Sequence, residues 1–466
     1  MSRTWIATSI ALGIAAAIGL AVALVTVGND GDAAGRASVG PCRESVSTSV
    51  PQPAGAQLAA AGLAKLPLAP DSARVDLVAP PFSNPTDVSN PLFPISKLRS
   101  AILNGTVEEK PFRTETTLLP ETRIMEWSDG QCVEVLVSQY TAYLGGRIEE
   151  VALDLYAQAD DGSVWYLGEN VFNYEDGVIA DRAGTWFAGT DGPAAMIMPG
   201  DPKVGDAYRP ENIAGFVFEE VTVKAVGETV AGPRGPVHGA IVNRELHDDG
   251  TTEEKVFAPG YGEFFTGSGG DVEALALAVP TDSLPGGVPA ALETLSSGAD
   301  AVFAASGRGR WSQVSRTVSG MSDAWAAHRR TGDVPPRLVA PTSEAVKALA
   351  REVADRDRAG SRQAALDVAQ AGLDLQLQYR PAAEIDLGRF DAWLRQLLVD
   401  AQARDHGGLL GDVSTLEWIR DRIEKALDPV DLTRLDTLLK ELRTNAADEN
   451  FAGASETAAQ LRQLVA

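Results

Sequence analysis

The segment DGSVWYLGENVFNYEDG, Asp161 to Gly177, sets four aromatic side chains and several carboxylates between two Asp-Gly pairs. Aromatic faces of this density line grooves that hold sugars, lipid chains or peptides by stacking and burial. Trp165, Tyr166 and Tyr174 are therefore candidate ligand contacts, with Glu169 as a half-buried hydrogen-bond acceptor beside them. In an extended chain Trp165 and Leu167 point one way, Val164 and Tyr166 the other. Both faces are then apolar, so either both are covered or one lines a groove. A packed hairpin core accounts for the same residues. Glycoside hydrolysis needs a second carboxylate across the bond. Asp154 and Glu149 have only their proximity in sequence to recommend them as partners of Glu169, so no catalytic residue is assigned.

Other chemistry is sparse. The chain has no phosphate-binding glycine loop and no Gly-x-Ser-x-Gly, and no cofactor is expected. His238, His247, His328 and His406 are scattered without metal-ligand spacing. HDDGTTEE, His247 to Glu254, concentrates ligand-type groups, but its spacing is not that of a calcium loop. It reads as a hairpin turn with solvated charges, and no metal site is expected. Cys42 and Cys132 are the two cysteines, and in an exported chain a pair of this kind forms a disulfide.

Four segments must carry these residues. Residues 1–27 contain Trp5–Val27, 23 residues without a charge, long enough to span a bilayer as a helix. Arg3 precedes the run and Asp30 and Asp32 follow it, which puts the N-terminus in the cytoplasm and residues 28–466 outside. Cleavage as a signal peptide is the alternative, giving a secreted protein. Residues 28–95 hold ten prolines between Pro41 and Pro94 and read as an extended Pro/Ala-rich linker with a short helix near Ala56–Ala64. Residues 96–282 alternate at period two. Turn pairs recur at Asp129-Gly130, Gly145-Gly146, Asp161-Gly162, Asp176-Gly177, Asp191-Gly192 and Asp249-Gly250, which predicts antiparallel hairpins with one wet face, curled into a sheet or open barrel. Residues 287–466 change to helical spacing, as in Leu387, Phe390, Leu394, Leu397 and Ala401, and predict a bundle of seven or eight helices. Ser414 (with Glu417), Asp386 and Asp428 are the expected N-caps, and Trp311, Trp325, Trp393 and Trp418 lie on apolar stripes. The fold class is multidomain α+β: a membrane helix, an antiparallel β-domain and a C-terminal all-α helical bundle.

Residues 88–280 also carry SNPLFPI, LYAQADDGSVWYLGE, GTWFAG, MIMPGDPKVGDAYRPE and APGYGEF in that order. This pattern resembles a family of uncharacterised secreted bacterial β-domain proteins. The resemblance implies export and a β-domain, and brings no activity or catalytic residue with it. NPLFPI departs from the family's more usual NPYFPL by the loss of one ring.

The chain carries 64 acidic and 40 basic residues, a net of −24. The imbalance sits in the first part: 38 acidic and 18 basic residues precede Ala291, and 26 and 22 follow. Such a surface repels phosphate backbones, so nucleic acid is not an expected partner. The partners expected are the bilayer, through residues 5–27, and an unknown ligand or envelope protein. A membrane-tethered, non-enzymatic binding protein of the bacterial envelope is the leading reading. The alternative is an extracytoplasmic hydrolase that uses acidic residues of the β-domain.

Overall fold

The computed structural model of the protein describes residues 48–128 and 131–465. Trp5–Val27 and Cys42 lie outside these residues. Among the described residues no helix is long and apolar enough to cross a membrane.

Hairpin connections dominate the β-domain. Its strands are β1 (Ser100–Val107), β2 (Lys110–Ser128), β3 (Gln131–Leu144), β4 (Arg147–Gln158), β5 (Val164–Glu175), β6 (Val178–Asp181), β7 (Trp186–Phe187) and β8 (Ala195–Met198). They continue with β9 (Ala207–Ile213), β10 (Val217–Gly232), β11 (Gly235–His247), β12 (Thr252–Ala258), β13 (Gly262–Ser268) and β14 (Asp271–Val279). All belong to one sheet, ordered β6-β5-β4-β3-β2-β1-β14-β13-β12-β11-β10-β9, with β7 and β8 paired to β5. The sheet curls without closing. β8 lies beside β9 and spans the gap between the two ends of the meander.

Gly145-Gly146 joins β3 to β4 and Asp176-Gly177 joins β5 to β6 because these residues tolerate left-handed backbone, which Gly162 and Gly250 also adopt. Asp176 and Gly177 at the β5–β6 turn have φ of 49° and 77°. A side chain on Gly177 would also collide with the backbone of Gly407 and Gly411 at 2.1 and 2.4 Å. The turn is therefore the seat on which a helix of the C-terminal part docks. Gly168, at φ 122° within β5, lets β7 close in, since a Cβ there would lie 2.3 Å from the Trp186 carbonyl oxygen.

Residues 48–99, read as a linker over their first part, pack against the sheet. They include the short helix α1 (Gly55–Ala60), and Val50, Leu63, Val88, Leu92, Phe93 and Ile95 are buried. Arg74 and Asp76, themselves buried, pair at 2.6 Å, and Asp76 accepts from the Arg209 backbone of β9 at 3.0 Å.

The C-terminal part comprises α2 (Ala290–Gly307), α3 (Trp311–His328), α4 (Pro336–Ala354), α5 (Arg358–Gln376), α6 (Ala382–Ala403), α7 (His406–Ile423), α8 (Pro429–Ala447) and α9 (Phe451–Leu464). The predicted stripes form two apolar cores, one around Val302, Met321, Trp325 and Leu349, the other around Phe390, Leu416, Leu435 and Leu461. Asp428 caps α8 as expected, accepting from the Val430 and Asp431 amides. Two expected caps are corrected. Ser414 sits in the interior of α7, which is capped by Asp405, and its hydroxyl accepts from Arg443 at 3.0 Å. Asp386 lies inside α6, buried, and accepts from Arg389 at 2.9 Å. In both cases an arginine, rather than a free helix amide, claims the polar side chain: Arg443 of α8 for Ser414, and Arg389, three residues along the same helix, for Asp386.

The two halves meet across a buried ion network. Glu115 of β2 is 2% exposed and pairs with Arg113 at 2.6 Å, with Arg389 at 3.3 Å and with Arg422 of α7. Asp374 of α5 accepts from Arg113 at 2.7 Å and from Arg389 at 3.0 Å. With Asp386, three arginines face three carboxylates. Trp393 stacks on Tyr143 at 5.5 Å, and Trp418 meets Phe172 edge-on at 4.7 Å. The bundle thus covers the outer face of β2–β5. The expectation of one wet sheet face fails there, and Val164–Val171 of β5 is buried throughout.

Candidate ligand site: an acid-lined interior

The inner face of the curled sheet encloses a cavity of about 100 Å³. Alternation within each strand decides what faces it. On β4, Glu150, Ala152, Asp154 and Tyr156 line the cavity, while the intervening Val151 packs outward in a cluster with Phe172. On β5, Glu169 stands directly opposite Asp154. Glu245 of β11, Lys255 of β12, Glu263 of β13 and Glu273 of β14 complete the acidic side.

The burial of charge is extreme. Asp154, Glu169, Glu211, Glu219, Glu245, Glu253 and Glu273 are each at most 4% exposed. Carboxylates are rarely buried to this degree unless paired or ligating. Lys255 is buried among them, with its ammonium 2.7 Å from Glu245 and 3.2 Å from Glu253. One side-chain oxygen of Glu169 and one of Glu253 are buried without a hydrogen-bond partner.

Burial raises the carboxyls. Glu150 is pushed up to about 8 by burial and then by Asp154, Glu149 and Asp181. Asp154 is pushed up to about 7 by burial, against the opposing hydrogen bond from Tyr166. Glu169 and Glu211 lie well above the usual carboxylate range, burial first and their carboxylate neighbours second, and the two are hydrogen-bonded across the gap between β5 and β9. Burial pushes the Lys255 ammonium down, but Glu245, Glu253, Glu219 and Glu263 outweigh it and hold it well above its ordinary value.

The four residues singled out from sequence divide between two faces. Tyr166 is fully buried, stacked on Tyr156 at 5.0 Å, and its hydroxyl donates to Asp154 at 2.7 Å. Glu169 faces the cavity. Trp165, 1% exposed, packs edge-on against Trp127 at 4.6 Å and donates its indole N–H to Ser163 at 2.8 Å. Tyr174 is on the outer face, where its hydroxyl accepts from the Trp418 indole at 2.8 Å. Of the two carboxylates proposed as partners of Glu169, Asp154 is its cross-strand neighbour, whereas Glu149 does not line the cavity. Cys132 lies half-buried on β3.

One cluster escaped the sequence reading. Donor atoms of Glu219, Glu245 and His247 lie within 4.8 Å of one another. His247 is 3.2 Å from Glu219 through Nδ1 and 3.9 Å from Glu253 through Nε2. HDDGTTEE is thus not wholly a solvated turn, since the His247 side chain is 15% exposed and that of Glu253 is 2% exposed. The signal was present as Glu245-x-His247 on one strand and Glu253-x-Lys255 on the next. Such alternation marks a polar face, and only the curling of the sheet turns that face inward.

No protein-family model matches the chain, and no curated protein is significantly similar to it.

Proposed function

We propose that this chain is an extracytoplasmic binding protein of the cell envelope, tethered through residues 5–27, whose curled sheet takes a small cationic ligand in its acid-lined interior. The observation that carries this reading is a set of seven sheet carboxylates, none more than 4% exposed, of which Asp154, Glu169, Glu245 and Glu273 line the cavity together with Lys255. Water-poor surroundings make such a set costly unless protons or a cation neutralise it. The uncharged run Trp5–Val27, with Arg3 before it and Asp30 and Asp32 after it, supports the tether and the outward orientation, with secretion after cleavage as the alternative. The resemblance of residues 88–280 to secreted bacterial β-domains supports export. Pairing of Cys42 with Cys132 belongs to the same reading.

The alternative is an extracytoplasmic hydrolase acting through carboxylates of the β-domain. Asp154 and Glu169, directly opposite on β4 and β5, would be its pair. A cavity of about 100 Å³ favours a small ion over a sugar, since pockets for drug-sized molecules run from about 300 Å³ upward.

Two measurements test the proposal. A reporter fused after Ala466 that is active only when exported should be active, and activity of a cytoplasm-only reporter there would refute the orientation. Full-length protein in mild detergent, melted against magnesium, calcium, zinc, putrescine and spermidine, should gain thermal stability from at least one of them. A melting temperature indifferent to all five refutes the cationic ligand.

A further inference from the structure

We infer that Glu219, Glu245 and His247 form a binding site for one divalent transition-metal ion of the zinc, cobalt or manganese class, with Glu253 as a fourth ligand or orienting group. This rests on the reading of the interior as a cation site and names the cation.

The donor set is selective. One imidazole and two carboxylates suit zinc and its first-row neighbours, whereas calcium and magnesium prefer oxygen ligands alone. The placement is imposed by the sheet. Glu245 and His247 are two residues apart on β11 and so share a face, and Glu219 is the Cα partner of His247 on the adjoining β10.

The spacing is close to that of a ligand shell. All three donors lie within 4.8 Å of one another, and the His247 Nδ1 to Glu219 separation is 3.2 Å. Metal–ligand bonds of about 2.1 Å in a tetrahedron place donors about 3.4 Å apart. The His247–Glu219 contact has that spacing already, and the remaining donors lie within 4.8 Å.

The charge is short by two. Glu219, Glu245 and Glu253 carry three negative charges when ionised, and Lys255, at 2.7 Å from Glu245 and 3.2 Å from Glu253, returns one positive charge. A divalent ion restores neutrality beside a neutral imidazole.

A buried acceptor waits beside the cluster. Glu253 is the Cα partner of Glu245 on β12, its side chain is 2% exposed, and its Oε2 has no hydrogen-bond partner. Its other oxygen is 3.9 Å from His247 Nε2. With Nδ1 and Glu219 on the ion, Glu253 stands on the side of the free Nε2 and would orient the ring. The imidazole is 15% exposed, and the turn outside it carries Asp248 and Asp249, so cations reach the site from an acidic rim.

Full-length protein in detergent, stripped with a chelator and exchanged into metal-free buffer, is titrated with zinc by calorimetry and with cobalt(II) by visible absorption. One zinc per chain is expected, with d–d bands from the cobalt form. His247→Ala and Glu245→Gln should each weaken zinc by about tenfold or more, while His238→Ala, an exposed histidine on the same strand, should leave it unchanged. Circular dichroism checks that each variant is folded. Should either variant fail to fold, the wild-type cobalt spectrum decides, because intense d–d bands mark a site of four or five ligands, whereas cobalt left in its water shell absorbs only weakly. No saturable zinc binding, calcium bound as tightly as zinc, or zinc affinity unaltered in folded His247→Ala overturns the metal site. If putrescine or spermidine still stabilises the protein in that event, the cationic interior stands and only the identity of the cation falls.

Discussion

Glu115→Gln isolates the contribution of the interface between sheet and bundle. Glu115 meets Arg113, Arg389 and Arg422, and Asp374 and Asp386 complete a set of three positive and three negative groups. Burial alone would push the Glu115 carboxyl up, but Arg389, Arg113 and Arg422 outweigh it and hold it well below the usual carboxylate range. The substitution preserves shape and one acceptor oxygen while leaving a buried excess positive charge. Removing one partner of a buried ion pair costs about 3–5 kcal/mol. Unfolding entropy of about 2.1 cal/mol/K per residue, over roughly 400 residues, amounts to about 0.85 kcal/mol/K, so the melting temperature should fall by about 3–6 °C. Full-length protein followed by circular dichroism and tryptophan fluorescence reads this, since Trp393 and Trp418 sit at the interface. Adding Arg422→Gln returns the set to balance, so the double variant should melt above the sum of the two single losses. A drop below about 1 °C for Glu115→Gln, or strict additivity in the double variant, would refute the view that this network joins the halves.

The folded-state values of Glu150, at about 8, and Asp154, at about 7, are raised above those of the unfolded chain, and Glu169, Glu211, Glu245 and Glu273 shift the same way. Raised carboxyls contribute stability that is fully present below the unfolded value near 4 and is lost as pH rises through the folded one. In chelator the melting temperature should therefore fall between pH 5 and 8.5, and a flat or rising profile would count against an enclosed acidic face. Trp165→Ala should cost about 3–5 kcal/mol by emptying its place against Trp127. Tyr166→Phe, which takes the donor from buried Asp154, should cost about 1–3 kcal/mol; denaturant melts that show neither loss would place these rings outside the core.

Local chemistry decided much of this fold before any long-range contact. Asp-Gly and Gly-Gly pairs dictate left-handed turns, and Asp176-Gly177 forms one between β5 and β6. Period-two and period-3.6 spacing separate strands 100–279 from helices 290–464, because side-chain direction along a strand or helix is a property of a few neighbouring residues. Asp428 before Pro429 caps a helix for the same local reason. Tertiary structure decided where polar side chains went. Ser414 carries cap chemistry, yet Arg443 of α8 claims its hydroxyl in the interior of α7, while Asp386 pairs with Arg389 on its own helix and joins the ion network around Glu115. Glu169 and Asp154 became neighbours because β4 and β5 pair in one register. Glu219, Glu245, His247 and Glu253 lie on three adjacent strands, and the pairing register of β10, β11 and β12 sets them side by side. The alternation that places them on one face is written in each strand. Whether that face meets water or other carboxylates depends on how the whole sheet curls, which no single strand encodes.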